Sequence, residues 1–288
     1  MHKREVKGIL SSYNGMNISR GCTHGCIYCD SRSKCYHIEH DFEDVEIKSN
    51  APVLLETALK KKRKKCMIGT GAMSDPYIPV PENLANIRAC LEIIERHGFG
   101  LAIQTKSDLI LRDMDLLLAI NKKAKCVVET TMTTFDEKLC KIIEPNVCAT
   151  KRRFEVLKIM RDNGIQTVVW LCPFLPFIND TEENLAGLLD YCVEAQVYGV
   201  LCWGIGMTLR EGNREYFYSK LDEHFPGLKK TYQQKYGYNY EVTSDNNDKL
   251  MKLFYATCEK NHILCDNQAI FEYMRSFDDN KRAQMELF

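Results

Sequence analysis

Short apolar runs alternate with longer stretches in which apolar residues recur every third or fourth position. The short runs predict strands and the longer ones predict amphipathic helices. Strands are expected at Gly15–Ser19, Cys66–Thr70, Gly100–Thr105, Lys125–Thr131, Ile165–Leu171 and Val197–Trp203. Between them, Pro52 to Lys65 carries Val53, Leu54, Leu55, Ala58 and Leu59 on one side, with a proline in the first turn. Glu82 to His97 places Leu84, Ile87, Leu91 and Ile94 at helical spacing and stops at Gly98. Further helices are expected over Met114 to Lys122 and over Thr150 to Asn163, the latter ended by Gly164. Thr134 with Glu137, and Asp180 with Glu183, have the spacing of capping boxes. They predict helices that run to just before Pro145 and to about Ala195. Residues 30–50 read as polar and irregular, and after Gly204 the pattern turns to helices and aromatic-rich loops.

Strands alternating with helices imply βαβ units and a parallel sheet, an α/β fold. The first strand lacks the Gly-x-Gly-x-x-Gly turn of a dinucleotide fold. The residues most unlike structural filler fall just after the predicted strands, positions that gather at one rim if the sheet curves. A partial, TIM-like (β/α)6 barrel is therefore favoured over an open doubly wound sheet. No linker splits the chain, and the expected division is a barrel core over 1–210 and a helical C-terminal extension over 211–288.

The 45% hydrophobic content is that of a globular protein with a core. Lys+Arg and Asp+Glu are both 39, so net charge supplies no general attraction to nucleic acid or membrane. The longest apolar run, Val168 to Ile178, is too short to span a bilayer and holds Pro173 and Pro176. No membrane partner is expected, and no apolar signal follows Met1-His2-Lys3-Arg4-Glu5. Fourteen cysteines, scattered mostly through apolar segments, suit free thiols in a reducing cytoplasm.

Three of those cysteines depart from the scatter. Cys22, Cys26 and Cys29 lie at C-x3-C-x2-C spacing in one ten-residue loop. Thiolates hold iron–sulfur clusters, usually four per 4Fe–4S cluster, so three leave one iron with an open position. The alternative is a structural zinc site completed by Cys35 or a histidine, but the paired C-x2-C knuckles usual for zinc are missing.

The loop Gly21-Cys22-Thr23-His24-Gly25-Cys26-Ile27-Tyr28-Cys29-Asp30 resembles the signature of the radical S-adenosylmethionine (SAM) superfamily. Ser74-Asp75-Pro76-Tyr77, Thr105-Lys106-Ser107 with Arg112-Asp113, Ile143-Glu144-Pro145, and Pro173 with Pro176 follow in the order of the spore photoproduct lyase-like family. The resemblance runs from about Gly15 to Asp180 and thins beyond Gly204. It implies the partial barrel of the radical SAM type, and a 4Fe–4S cluster on Cys22, Cys26 and Cys29 whose open iron binds SAM. It implies reductive cleavage of SAM to a 5′-deoxyadenosyl radical, with an electron donor such as flavodoxin or ferredoxin. By the same resemblance, Tyr28 lies next to adenine, and Ser74, Lys106 and Thr131 contact the methionine part of SAM. The lyases carry a hydrogen-donating cysteine where this chain has Ala72, so the resemblance does not extend to thymine-dimer reversal by that route.

Substrate readings rest on weaker features. The basic run Lys60 to Lys65 is either a solvated helix end or a nucleic-acid patch. Tyr216, Phe217, Tyr218, Tyr232, Tyr236, Tyr238 and Tyr240 either stack on bases or pack the barrel's open side. Cys258 and Cys265 are the candidates for a second cluster, although two cysteines fall short of the usual four, so free thiols are the favoured reading. The terminal Gln284-Met285-Glu286-Leu287-Phe288 resembles the pentapeptide that docks bacterial repair proteins on the sliding clamp. By the resemblance and the tail, nucleic acid is the favoured substrate class, with damaged or modified DNA the narrower expectation. A peptide or small metabolite is the second reading, and a non-catalytic metal-binding interaction protein the third.

Overall fold

A computed structural model describes residues 1–277; the segment Gln284–Phe288 lies outside the described residues. The N-terminal part holds β1 (His2–Arg4), β2 (Gly15–Met16), β3 (Ser19–Arg20) and β4 (Glu46–Lys48). Alternating elements follow: α1 (Ala51–Lys61), β5 (Met67–Thr70), α2 (Pro81–Arg96), β6 (Gly100–Gln104), α3 (Met114–Lys123) and β7 (Cys126–Thr131). They continue with α4 (Glu137–Ile143), α5 (Thr150–Asp162), β8 (Gln166–Trp170), α6 (Glu182–Glu194) and β9 (Gly199–Leu201). The chain then forms β10 (Gly206–Thr208), α7 (Asn213–His224), α8 (Leu228–Tyr236), β11 (Glu241–Thr243), α9 (Asn247–Lys260) and α10 (Asn267–Arg275).

The main sheet has six strands in the order β2-β5-β6-β7-β8-β9, every pair parallel. Neighbours in the sheet are successive in the chain, so the order never reverses as it does in a doubly wound sheet. Right-handed crossovers then put every connecting helix on one face, and the sheet curls into a partial barrel with an open side. Alternation along the strands divides two apolar layers. Ile68, Leu101, Ile103, Cys126 and Val128 face the helices, in one cluster with Leu55, Ile87, Leu91 and Leu117. Met67, Ala102, Val127, Val168 and Leu201 face inward, where Ile270 and Met274 of α10 fill the barrel's lower half. The expected barrel and its helices are thus present.

The boundaries moved where local chemistry competed. The first strand ends at Met16, and β3 leaves the barrel to pair antiparallel with β4 in a separate three-stranded sheet, β1-β4-β3. Strands this short carry no readable period, so residues 30–50 looked irregular. α1 stops at Lys61, and Lys62 turns extended and sends its ammonium 2.6 Å from Asn14 Oδ1. Neither expected capping box forms. Asp136, not Thr134, caps α4, accepting from the Lys138 and Leu139 amides at 2.7 and 3.0 Å. Thr181, not Asp180, caps α6, because Asp180 accepts a hydrogen bond from Ser244 instead. Beyond residue 210, β11 pairs antiparallel with β10, and α10 packs inside the barrel.

Candidate functional site

The cysteine loop leaves β3 and is held in place by its backbone. Gly21 has a φ of +81°, and a Cβ there would sit 2.4 Å from the Phe42 carbonyl. That close approach lets the Cys22 amide donate to Phe42 O at 2.9 Å. Gly25, φ +73°, lies against Pro145 and Asn146. From the other side, the Ile27 amide donates to Ile143 O at 3.0 Å, and the Asn146 amide donates to His24 O at 3.1 Å. Asn146 Nδ2 adds a bond to Thr23 O at 2.9 Å. The Ile143-Glu144-Pro145-Asn146 segment therefore clamps the loop, a role its sequence alone did not disclose.

Cys22 and Cys26 are buried and Cys29 is partly exposed. Burial, with Asp75 and Cys26 adding to it, pushes the Cys22 thiol well above its ordinary range. Burial likewise takes Cys26 up to about 12, with Lys106 pulling the other way. Such thiols become thiolates only opposite strong positive charge, which the irons of a cluster supply. The choice of a cluster over mononuclear zinc rests on the C-x3-C-x2-C spacing and on the missing paired C-x2-C knuckles.

Beneath the loop lies a buried charge network. Tyr28 is 7% exposed; its hydroxyl donates to Glu144 and lies 3.1 Å from Thr133 Oγ1. Glu144 also meets Arg153 Nη2 at 2.5 Å, with both side chains almost wholly buried. Arg153 donates further to the carbonyls of Thr131 at 3.0 Å and Cys148 at 2.8 Å. Burial would raise the Glu144 carboxyl, but Arg153 and Lys106 outweigh it and hold it at about 2. Lys106 is partly buried, its ammonium 5.8 Å from the Tyr28 ring centre. Burial lowers its pKa, yet Cys26 and Glu144 more than reverse this, so it stays charged.

The other expected SAM contacts sit around this centre. Ser74 is buried; its hydroxyl donates to Gly21 O at 2.6 Å and lies 2.9 Å from Ser19 Oγ. Thr131 is buried at the end of β7, 3.4 Å from Gln104 Nε2. Asp75, read from sequence only as part of a motif, is a hub. It accepts from Thr105 Oγ1 at 2.7 Å and from the Lys106 and Tyr77 amides at 2.8 Å, with His24 Nε2 at 3.1 Å. Burial raises its carboxyl, but His24 and these donors hold it at about 2. The ends of β5 and β6 are thereby tied to the cysteine loop. Arg153 also went unremarked in the sequence, although a charge on the apolar stripe of α5, between Thr150 and Leu157, was a signal to follow.

A cleft of about 210 Å³ opens inside the barrel, lined by Tyr13, Ala72, Gln104, Glu129, Trp170 and Phe271 among others. Glu129 faces inward with Val127 and Thr131, and Trp170 Nε1 donates to it at 2.7 Å. Burial, partly offset by that bond, takes its carboxyl from 4.5 up to about 7. The folded chain thus holds this proton more tightly than the unfolded one. The contribution is complete below about pH 4.5 and is lost as pH rises through about 7. Urea unfolding of the apoprotein should show about 3 kcal/mol less stability from this group at pH 8 than at pH 4.5. Glu129→Gln should remove that component; parallel profiles for the two proteins would refute the assignment.

The weaker sequence features separate here. Phe217, Tyr218, Tyr232 and Tyr236 pack in one buried cluster with Ile27 and Tyr28, so they serve packing, while Tyr238 is 93% exposed. Lys65 donates to His97 O at 2.6 Å and Lys60 pairs with Glu56 at 2.9 Å, which leaves little of the basic run as a free patch. Cys258 is buried in the apolar layer with Leu188, Cys192 and Phe254.

Comparison with known proteins identifies the family. The family model described as Radical SAM superfamily matches residues 16–189. The chain belongs to the radical SAM superfamily of enzymes, whose cofactors are a 4Fe–4S cluster and SAM. The uncharacterized protein MJ0683 of Methanocaldococcus jannaschii is 34% identical over 56% of this chain and 60% of its own length. The uncharacterized protein Rv2578c of Mycobacterium tuberculosis is 27% identical over 77% of this chain and 66% of its own. The matched region thus spans less than two thirds of either relative. A spore photoproduct lyase mutant with bound AdoMet and dinucleoside spore photoproduct shares the fold. It aligns at a TM-score of 0.60 and 14% identity over 85% of this chain and 73% of its own.

Proposed function

We propose that the protein reductively cleaves SAM and directs the resulting radical at a nucleobase, in a DNA repair or modification reaction. When bound, the cluster supplies the electron for cleavage of SAM to a 5′-deoxyadenosyl radical; a one-electron donor such as flavodoxin or ferredoxin would refill it. Cys22, Cys26 and Cys29 are its ligands in this reading. Lys106 offers a charge-assisted bond to the SAM carboxylate. Thr131 and Ser74 flank the methionine part, Ser74 chiefly by holding Gly21 in place. The Tyr28 hydroxyl is committed to Glu144, so Tyr28 would flank adenine without lending it that hydroxyl.

The observation that carries the substrate reading is the cleft. Its Tyr13, Trp170 and Phe271 rings suit a flat heteroaromatic ring, and Gln104 and Glu129 suit that ring's donor and acceptor edge. Trp203, 55% exposed and 5.3 Å from Trp170, extends the aromatic surface. A small metabolite is the second reading, favoured by a cleft of only about 210 Å³ and a formal net charge of zero. A cytoplasmic location fits the fourteen cysteines, all free thiols, and no helix of the described residues is long and apolar enough to cross a membrane.

Deuterium tracing tests the proposal. Reduced, cluster-loaded protein with SAM and base- or sugar-deuterated oligonucleotides should produce deuterated 5′-deoxyadenosine. Label arriving only from free nucleosides or peptides would replace the DNA reading, and no SAM cleavage with any substrate would overturn the activity itself.

A further inference from the structure

Behind the cysteine loop, three side chains from separate segments converge: His2 on β1, His40 in the turn before β4, and Glu46 on β4. His2 and Glu46 are register partners in the parallel β1–β4 pair. One ligand atom from each of the three lies within 4.8 Å of the others. We propose that His2, His40 and Glu46 form a second metal site, distinct from the cluster, that takes a zinc-like divalent cation.

The hydrogen bonds around the two imidazoles determine which nitrogens are free. His40 Nδ1 lies 2.9 Å from the Asp41 carbonyl oxygen, which can only accept, so the proton sits on Nδ1. His2 Nδ1 lies 3.0 Å from the Asp44 carboxylate, which likewise takes a proton from the ring. In neutral rings both Nε2 atoms are then lone-pair acceptors. This is the outer arrangement that metal-bound histidines use, a carboxylate or carbonyl on the far nitrogen fixing tautomer and orientation.

Two of the atoms that could face a metal are left without partners. His40 Nε2 and Glu46 Oε1 are both buried with no hydrogen-bond partner. His2 Nε2 is 3.8 Å from the other Glu46 oxygen, Oε2, which also receives Arg4 at 3.1 Å. Both atoms are buried acceptors without a donor, and a cation bound by the three side chains would satisfy both at once. Glu46 itself is 3% exposed. Two imidazole nitrogens and one carboxylate oxygen are a zinc donor set, with a fourth position open to water. Nitrogen ligands disfavour magnesium and calcium. Ligand bonds of about 2.0–2.2 Å would need only modest side-chain rotation to close the group.

The placement gives the site a structural task. Residues 40–46 contain Phe42, whose carbonyl receives the Cys22 amide at 2.9 Å. A cation joining His2, His40 and Glu46 would pin that segment to β1 and β4 and so brace the cysteine loop from behind.

The test uses cluster-loaded protein of the sequence above, without a polyhistidine tag, dialysed against micromolar zinc. Iron and zinc are then counted by mass spectrometry. About one zinc per chain is expected beyond the cluster iron. His40→Ala and His2→Ala should each weaken zinc binding by more than about ten-fold while iron content stays unchanged. His2 is half-buried near the chain start, so its variant keeps the test readable where Glu46→Gln fails to fold. Cobalt in place of zinc should give d–d bands without new thiolate-to-cobalt absorption. Absence of added zinc, zinc that persists in both histidine variants, or a thiolate-to-cobalt band at the added ion would overturn the proposal.

Discussion

Cys26→Ala should leave a folded protein that holds little iron and yields no 5′-deoxyadenosine above background from SAM. The expectation of a retained fold comes from the loop's anchors, which are backbone bonds to Phe42, Ile143 and Asn146 and none of which uses the Cys26 sulfur. Loss of chemistry follows from the donor count: a loop offering three thiolates cannot lose one and still hold a cluster with a single open iron. The thiol's elevated pKa, about 12, adds a second readout. Cluster loading at pH 8 must strip protons from such thiols, so it should acidify a weakly buffered solution, and the variant should release fewer protons. Circular dichroism, iron assay and product analysis together decide the matter. A variant that keeps full iron and cleaves SAM would remove Cys26 from the ligand set.

Glu144→Gln should be the most destabilising single change at the site that conserves shape, costing about 3–5 kcal/mol. Glutamine fills the same space and can still accept from Tyr28 and Thr133. It leaves the Arg153 guanidinium, 1% exposed, facing the Thr131 and Cys148 carbonyls and the Cys140 sulfur with no counter-charge. The penalty is that of an uncompensated buried cation. Pairing the change with Arg153→Met should therefore recover part of the loss, so the double variant falls short of the sum of the singles. The pH dependence has a definite sign. A carboxyl held at about 2 contributes stability that is fully present above its unfolded value of about 4.5 and is lost as pH falls toward 2. Urea midpoints for the four proteins between pH 7 and pH 3 measure both effects. A Glu144→Gln protein as stable as wild type would show that the ion pair only offsets its own desolvation. Because Glu144 also positions Tyr28 between Cys26 and Cys29, the variant should bind iron less tightly even where it stays folded.

The barrel and the cysteine loop were legible because their signals are local. C-x3-C-x2-C is a distance along ten residues of one loop, and helical spacing such as Leu84, Ile87, Leu91 and Ile94 is a property of a few turns. Motif order along the chain carried further, since strands successive in sequence proved successive in the sheet and brought Ser74, Lys106 and Thr131 to one rim. Capping was misplaced by one or two residues at α4 and α6 because Asp136 and Thr181 compete with equally eligible neighbours for the same amides.

What the sequence by itself determined is the chemistry available: three thiols poised for a cluster, six strand–helix units to carry them, and a lysine at the rim. Tertiary structure alone decided the partners. Tyr28 is 116 positions from Glu144, and Ser74 is 53 from Gly21. His2 and Glu46 are neighbours only because β1 runs parallel to β4. Spacing along a chain encodes contacts within a turn or a strand. A buried charge such as Arg153 or Glu129 acquires its meaning from what the closed barrel leaves facing it, and that depends on strand order, twist and the helix that fills the open side.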